Sequence, residues 1–371
     1  MQVDVVPWSQ HSVDEVDADG NILNEETLTL RRAFFRAIAE KDAYFAELEL
    51  DGNTVKGPAA RVVTSQVGWH YEDYVRVRGG LLLIPFGSYT PTNARDRFFM
   101  EQPTFIRALF PGDVDGGVSA DGQYGYVRWS ASAMNGAPVS DAQWAGRDPS
   151  SSFDVMGRLG ADVPLPDHWR VVAGVSAVTG KGIHPGQPPT KDSFQWVDAN
   201  QDGIVQSSEL SVVPGSPGEP SQEFSRDAVD VDVAVHWCVC ALGKGKLQFE
   251  GAIAKNLDRG VVYADPIARS RNVRELGFVV DLVQELGKYA LAGVRYDRYN
   301  ADRDAAETEG AATVYTHEVF STVSVLAAAK IDTARLSVQY DHVTNPFGRS
   351  DSGQPTTERA DRITIRGQVE F

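Results

Sequence analysis

The sequence predicts an all-β fold, a 16-stranded antiparallel transmembrane β-barrel with short turns on one rim and long loops on the other. Three observations predict it. Runs that alternate apolar and polar residues recur down the chain, each about the 9–11 residues that a tilted membrane-crossing strand needs. The connections between these runs alternate short and long. The chain closes on D-R-I-T-I-R-G-Q-V-E-F, in which Ile363, Ile365, Gly367, Val369 and Phe371 share one strand face and Arg362, Thr364, Arg366, Gln368 and Glu370 the other. In a barrel the apolar face meets lipid and the charged face a wet lumen.

Composition agrees. At 371 residues the chain suits two soluble domains or one large barrel. Lys+Arg is 35 against 51 Asp+Glu, a formal net charge of -16, which argues against nucleic acid as a partner. Mean hydropathy is -0.27, and no run of about 18 apolar residues exists to make a transmembrane helix. Met1-Gln2-Val3-Asp4 has neither the basic start nor the apolar stretch of a signal peptide, so an exported chain is expected to be the mature form with an added Met1.

In order, the expected strands are 2–8, 27–37, 43–50, 60–70, 74–85, 113–119, 123–134, 152–163, 168–180, 228–241, 246–256, 272–283, 288–298, 314–327, 331–343 and 361–371. The first has the weakest pattern and is included partly because an even count suits a bacterial barrel. Leu28–Glu47 is rich in Ala and Glu and competes as a helix, but its E-K-D turn reads better as strand–turn–strand. Val127, Trp129, Ala131 and Ala133 alternate with Arg128, Ser130 and Ser132. Val229, Val231, Val233, Val235, Trp237 and Val239 oppose Asp230, Asp232, Ala234, His236 and Cys238. Leu247, Phe249, Gly251 and Ile253 oppose Gln248, Glu250, Ala252 and Ala254; Leu336, Val338 and Tyr340 oppose Arg335, Ser337, Gln339 and Asp341. Short turns are expected at Ala39–Asp42, Ala120–Gly122, Pro164–Asp167, Gly243–Lys246, Glu285–Lys288 and Ala328–Lys330. Long loops are expected at 9–26, 51–59, 86–112, 135–151, 181–227, 257–271, 299–313 and 344–360. The whole of 1–371 is one domain. Turns face the periplasm and loops the outside.

The terminal strand resembles the last strand of bacterial outer-membrane barrels. L-T-L-R-R-A-F-F-R-A (28–37), V-R-V-R-G-G-L-L-L-I-P-F-G (75–87), F-P-G-D-V-D-G-G-V-S-A-D-G (110–122) and Y-V-R-W-S-A-S-A-M-N-G (126–136) together resemble the phosphate-selective porin O and P family, most clearly over 28–136. The resemblance implies an outer-membrane channel for small hydrophilic or anionic solutes, a homotrimer in outer-membrane lipid, and a loop after Pro85-Phe86-Gly87 that folds into the lumen as a constriction. It also implies anion preference set by lumenal Arg and Lys. The sequence departs on one point: loop 86–112 carries Arg95, Arg97 and Arg107 but no Lys.

Charge on a pore wall sets ion preference. By parity the pore-lining cations are Arg76, Arg78, Arg128, Arg295, Arg335, Arg362 and Arg366, with Arg95, Arg97 and Arg107 on the constriction loop. Arg31, Arg32 and Arg36 occupy both faces of their strand, so a bulge is needed for all to be lumenal. Asp230, Asp232, Glu250, Asp297, Asp341 and Glu370 oppose them. The bland alternative is a mutually neutralising lattice that stiffens the wall.

Asp198–Glu209, D-A-N-Q-D-G-I-V-Q-S-S-E, has the frame of an EF-hand-type calcium loop. Its ligands would be Asp198, Asn200, Asp202, the Ile204 carbonyl, Gln206 and bidentate Glu209, with Gly203 at the turn. Glu15, Asp17, Asp19, Asn21 and Glu26 repeat the frame more weakly in loop 9–26. One calcium ion is expected, with a second at the weaker loop. No flanking helices are evident.

No catalytic set is present: there is no G-x-S-x-G, H-E-x-x-H or Walker loop, so no enzyme is expected. His236 and Ser130 are inward by parity, but sequence does not place them together. Cys238 and Cys240 read as two small strand residues rather than a redox pair or soft-metal site, because a disulfide across one residue is strained. Two further readings remain at this stage: a surface-binding or adhesive barrel with a plugged lumen and calcium-ordered loops, and a soluble calcium-binding β-protein.

Overall fold

The structure is a computed structural model and describes residues 1–9, 27–54, 59–137, 150–239, 242–309, 312–315, 318–349 and 355–370. β1 (Gln2–Ser9) leads to the first long connection. β2 (Thr27–Arg32) and β3 (Phe34–Lys41) are halves of one strand, broken at Ala33. Then come β4 (Tyr44–Asn53), β5 (Ala59–Tyr71), β6 (Val75–Leu83), β7 (Val114–Tyr124), β8 (Val127–Met134), β9 (Asp154–Pro164) and β10 (Arg170–His184). A small hairpin of β11 (Ser193–Trp196) and β12 (Leu210–Val213) precedes β13 (Gln222–Val239), β14 (Gly243–Lys255), β15 (Arg274–Leu286) and β16 (Ala290–Asn300). A second hairpin, β17 (Ala306–Glu309) and β18 (Ala312–Tyr315), precedes β19 (Val319–Ile331), β20 (Ala334–Arg349), β21 (Pro355–Arg359) and β22 (Arg362–Val369).

Every wall strand is antiparallel to its neighbours, and closure comes from β1, which pairs with β22 on one side and β2 on the other. The wall is one 18-stranded sheet. Because β2 with β3, and β21 with β22, are each one interrupted strand, sixteen strands make the barrel. The expectation for 2–8 holds: Gln2 faces both Gln368 and Arg32 in register. So does the strand–turn–strand reading of 28–47, since β3 and β4 pair from Phe34↔Asp51 to Lys41↔Tyr44.

Several expected turns are displaced. The one expected at Ala120–Gly122 lies at Gly125–Tyr126, because Gly122 is still paired with Trp129. The one expected at Ala328–Lys330 lies a few residues later, beside Asp332, whereas those expected at Ala39–Asp42 and Glu285–Lys288 overlap the turns at 42–43 and 287–289. Gly243–Lys246 is not a turn but the start of β14. Most of the loop expected at 344–360 is strand, the end of β20 and all of β21. The turns sit where a residue can take positive φ: Asp42 at 54°, Glu72 at 47°, Gly125 at 58°, Gly287 at 72° and Asp332 at 48°. Gly and Asp adopt that conformation at least cost.

The exterior is apolar. Val229, Val231 and Val233 are exposed while Asp230 and Asp232 between them are buried. Exposed Tyr44, Tyr71, Tyr74, Tyr124, Trp169 and Tyr289 ring the short-turn rim, as aromatic side chains do at a membrane interface. The chain is thus an integral outer-membrane β-barrel. Among the described residues no helix is long and apolar enough to cross a membrane.

The lumen holds the protein's main apolar core. The segment between β6 and β7 folds inward and carries α1 (Thr104–Leu109), which lies against β15 and β16. Phe86, Phe105, Ile106, Leu109 and Phe110 are fully buried there with Leu257 and Tyr299. Removing each large side chain from water contributes roughly 1.5–3 kcal/mol. Gly277 of β15 makes room for this packing: a Cβ at that position would strike the Phe105 ring.

Candidate functional site

The inward loop is fastened to one half of the wall, the half built by β13–β16 with β20 and β22. There the lumenal carboxylates and amides accept its N–H and O–H groups. Glu250 accepts the Ser88 amide at 2.8 Å and the Tyr89 amide at 3.1 Å. Asp281 accepts the Tyr89 hydroxyl. Gln339 accepts the Met100 amide at 3.0 Å, and Asp297 the Thr104 amide at 3.3 Å. Gly87, at φ 64°, passes so near Glu250 that a Cβ would meet its carboxylate.

The loop's carbonyls, in turn, accept from buried cations. Arg295 donates to the Glu101 carbonyl at 2.6 Å while holding Asp281 at 2.7 and 2.9 Å. Its guanidinium also lies 4.2 Å from the Phe99 ring centroid. Arg366 donates to the Met100 carbonyl at 3.3 Å and grips Asp4, both contacts at 2.6 Å. Arg335 donates to the Arg97 carbonyl at 3.0 Å. From the neighbouring long loop, Arg259 donates to the Leu109 carbonyl at 3.0 Å and to that of Gly136 at 2.7 Å. Burial, with Arg226 adding repulsion, pushes Arg259 down to about 10.

The opposite half of the wall, β2–β9, is lined by arginines and left open as two cavities. One lies toward the short-turn rim and has a volume of about 690 Å³. Arg36, Arg76, Arg78, Arg128 and Arg158 line it with five carboxylates, Glu40, Glu47, Glu72, Asp73 and Asp121, and with His70. The other, about 630 Å³, lies on the long-loop side and is lined by Arg31, Arg32, Arg61, Arg97 and Arg107 with Glu101 and Asp113. Many of these cations are paired. Arg76 and Arg78 share Asp121 at 2.8 and 3.0 Å; Arg36 holds Glu47 at 2.8 Å; Arg128 holds Asp162; Arg158 holds Asp232 at 2.5 Å. In the outer cavity Arg31 holds Glu101 at 2.9 Å and Arg97 holds Asp113 at 2.6 Å. Arg32 and Arg61 each reach Asp51 at 3.7 Å. Arg107 is the one exposed side chain of α1, whose other five residues are buried. It has no hydrogen-bonding or ion-pair partner among the described residues, although it helps to lower Glu101. Burial works against the Glu101 charge, yet Arg31, Arg362 and Arg107 together hold its carboxyl down to about 2. Burial raises the Asp113 carboxyl despite Arg97.

The residues singled out from sequence therefore separate into groups. Arg31, Arg76, Arg78, Arg97, Arg107 and Arg128 line the cavities. Arg95 lies on the loop and reaches Glu49 at 3.7 Å, and Arg362 reaches Asp341 at 3.6 Å. Arg295, Arg335 and Arg366 point into the barrel but hold the loop. Asp230 and Asp232 lie under it, buried. A bulge at Arg31, with Gln2 opposite Arg32 and Val3 opposite Leu30, lets Arg31 and Arg32 as well as Arg36 meet interior carboxylates. Sequence reasoning missed Arg158, although it shares a strand face with Asp154 and Asp162. It also missed α1, whose signal was five apolar residues around a single arginine in T-F-I-R-A-L-F. Ser130 is in register with Arg158, Ser176 and Asp230, so the neighbouring strand residue nearest His236 is Arg170 and not Ser130. With β9 and β10 between them, the two are on the order of 14 Å apart across the sheet alone, and form no nucleophile–base pair.

The segment 198–209 joins β11 to β12, so strands and not helices flank it. Asp198 accepts the amides of Asp202 and Gly203 at 3.1 and 2.9 Å, and Asp202 accepts that of Ile204 at 2.8 Å. Glu209 accepts the Trp196 indole N–H and the Ala199 amide, both at 3.1 Å, and the indole bond leads in lowering its carboxyl. Among the described residues no three such side chains converge closely enough to enclose an ion. Glu15, Asp17, Asp19, Asn21 and Glu26 lie outside the described residues, as does Cys240; Cys238 is exposed.

No family model matches the chain, and no curated protein is similar to it in sequence. The fold is similar to those of solved outer-membrane proteins. The outer membrane channel DcaP of Acinetobacter baumannii has a TM-score of 0.59 at 10% identity over 99% of this chain and 94% of its own. An anion-selective porin from Comamonas acidovorans has 0.55 at 11% identity over 99% of each chain. The trimer form of OmpT, an outer membrane protein of Vibrio cholerae, has 0.52 at 9% identity over 100% of this chain and 98% of its own.

Proposed function

We propose that the chain is a porin that admits small hydrophilic solutes by passive diffusion and prefers anions. One observation carries the reading. The inward loop covers the acidic wall of β13–β16, and the two cavities beside it are lined by ten arginines against seven carboxylates. Fixed cations around a confined aqueous path raise the local anion concentration and lower the barrier to anion entry. The constriction loop and the resemblance to the phosphate-selective porins support the same reading. They make inorganic phosphate one solute to try, although lysine is absent from the loop. The likeness to trimeric barrels supports a homotrimer in outer-membrane lipid. Asp198, Asn200, Asp202, Gln206, Glu209 and the Ile204 carbonyl offer the all-oxygen donor set that calcium takes, with Gly203 already at φ 72° for the turn. We assign one calcium ion to this external hairpin. The lumen is a passage and not an active site.

The apolar packing inside the barrel favours a second reading, a surface-binding barrel whose lumen is plugged. Reversal potential in a planar bilayer under a potassium chloride gradient separates the two. A stable conductance reversing on the chloride side supports the porin. Absence of conductance supports the plug, and cation-selective conductance overturns the role given to the arginines.

A further inference from the structure

The outer cavity is more than a ring of charge. Four of its five guanidiniums are paired, Arg31 with Glu101, Arg97 with Asp113, and Arg32 and Arg61 with Asp51. Arg107, exposed and without a hydrogen-bonding or ion-pair partner among the described residues, projects from a helix that is otherwise buried. The same cavity is lined by Phe34, Phe320, Phe347 and Val343. Phe347 is 57% exposed, and its ring packs edge-on against Phe320 with centroids 5.3 Å apart. The Phe34 ring lies 5.8 Å from the Arg32 guanidinium. An exposed aromatic surface beside the Arg107 guanidinium has no use for a small inorganic anion, which would satisfy the charge and leave the rings wet. It matches a solute with a charged end and a flat apolar body, which can pair with arginine and remove phenyl surface from water together. A volume of about 630 Å³ falls within the range of sites that enclose small organic ligands.

We propose that this cavity is a binding site for an amphiphilic organic anion, an aromatic carboxylate or its like, which the protein captures on the long-loop side before passage. Arg107 supplies the charge that is not already paired, and Phe347 with Phe34 supplies the apolar contact. The proposal rests on the porin reading for its consequence, but the site is defined by its lining alone and can be tested without conduction.

The experiment uses the purified full chain in detergent, with 2-naphthoate, acetate and inorganic phosphate as probes in isothermal titration calorimetry, followed by the same probes in single-channel recording. The expected result is saturable binding of 2-naphthoate at least tenfold tighter than that of acetate or phosphate. Phe347→Ala should weaken naphthoate at least fivefold and leave phosphate within twofold, whereas Arg107→Gln should weaken both. In recording, naphthoate added on the loop side should produce resolved blockades that Phe347→Ala shortens. Equal binding of all three probes, or naphthoate binding indifferent to Phe347→Ala and Arg107→Gln, overturns the proposal. Naphthoate binding in detergent without any potassium chloride conductance keeps the site and refutes the porin reading. Conductance without preference for naphthoate refutes the site alone.

Discussion

Arg295 is the strongest test of how the constriction is held. Its guanidinium is buried at 5% exposure, makes two bonds to Asp281 at 2.7 and 2.9 Å, and donates to the Glu101 carbonyl at 2.6 Å. Its face lies 4.2 Å from the Phe99 centroid. Arg295→Met keeps most of the volume and removes all of this. Leaving a buried carboxylate without its cation costs about 3–5 kcal/mol, and the lost cation–π contact about 0.5–2 kcal/mol. The loop's attachment should therefore weaken by about 4–6 kcal/mol, of which 4 is already a factor of roughly a thousand in its opening equilibrium. Amide hydrogen exchange reads this directly. The amides of Tyr89, Met100 and Thr104 should lose about three orders of magnitude of protection, while those of the distant β8–β9 pair stay as they were. Single-channel current should rise and become noisier as the loop leaves the passage. Replacing both partners, Arg295→Met with Asp281→Leu, should restore most of the protection, because an apolar pair leaves no orphaned charge. Unchanged exchange at Tyr89 and Met100 in Arg295→Met, with the barrel intact, would refute the assignment of Arg295 as the clamp.

Three further outcomes follow from the same geometry. Arg107→Glu changes the charge facing the outer cavity by two units; at about 6 Å in a watery medium each unit is worth about 0.7 kcal/mol before screening. The anion-to-cation permeability ratio, read from reversal potential, should thus fall up to about tenfold. Burial raises the Asp113 carboxyl, whereas Glu101 is held down to about 2. As pH falls, Asp113 takes up its proton before Glu101 does, so the outer cavity gains net positive charge. Anion preference should rise on acidification, and Asp113→Asn should remove that part of the pH dependence. Sign and stability agree: a raised carboxyl opposes folding when ionised above its folded value, while a lowered one such as Glu101 stabilises above its unfolded value near 4.5 and loses this only as pH approaches 2. In the external hairpin, calcium would draw Glu209 away from the Trp196 indole. Calcium at millimolar concentration should then change Trp196 fluorescence, and both Glu209→Gln and Trp196→Phe should abolish the change. Calorimetry without calcium uptake at that concentration would remove the ion from the account.

The barrel was legible because alternation is local. Whether Val231 faces lipid and Asp232 the lumen depends only on strand parity, which the residues themselves carry. Turn positions were less so, since A-D-G at 120–122 and G-Y at the true corner both carry a turn-forming glycine, and pairing of Gly122 with Trp129 decides between them. What each lumenal arginine does was not legible at all. Arg295 and Arg107 are both arginines with inward assignments, yet one is buried as a clamp and the other exposed on α1. That difference arises from contacts between residues nearly two hundred positions apart, such as Thr104 with Asp297, which no local pattern records. Likewise the bulge at Arg31, which lets Arg31 and Arg32 both meet carboxylates, was required by their spacing, but its position was set by pairing to β1.

The sign of the lumen is consequently not the sign of the chain. A net charge of -16 would favour cations if the lumenal carboxylates faced water. Glu250, Asp281 and Asp297 instead accept hydrogen bonds from the loop that covers them, and Asp230 lies fully buried beside Glu250. A carboxylate removed from the aqueous path has its field partly cancelled by the N–H groups and arginines that pair with it. The arginines of β2–β9 line the cavities, and in the outer cavity Arg107 adds a guanidinium with no hydrogen-bonding or ion-pair partner among the described residues. The loop therefore does two things with one set of contacts: it narrows the lumen, and it selects which half of a mixed-charge wall a passing ion encounters. Loosening it by Arg295→Met should accordingly raise conductance and lower anion preference together, whereas a loop that merely obstructs would change the first and leave the second where it was.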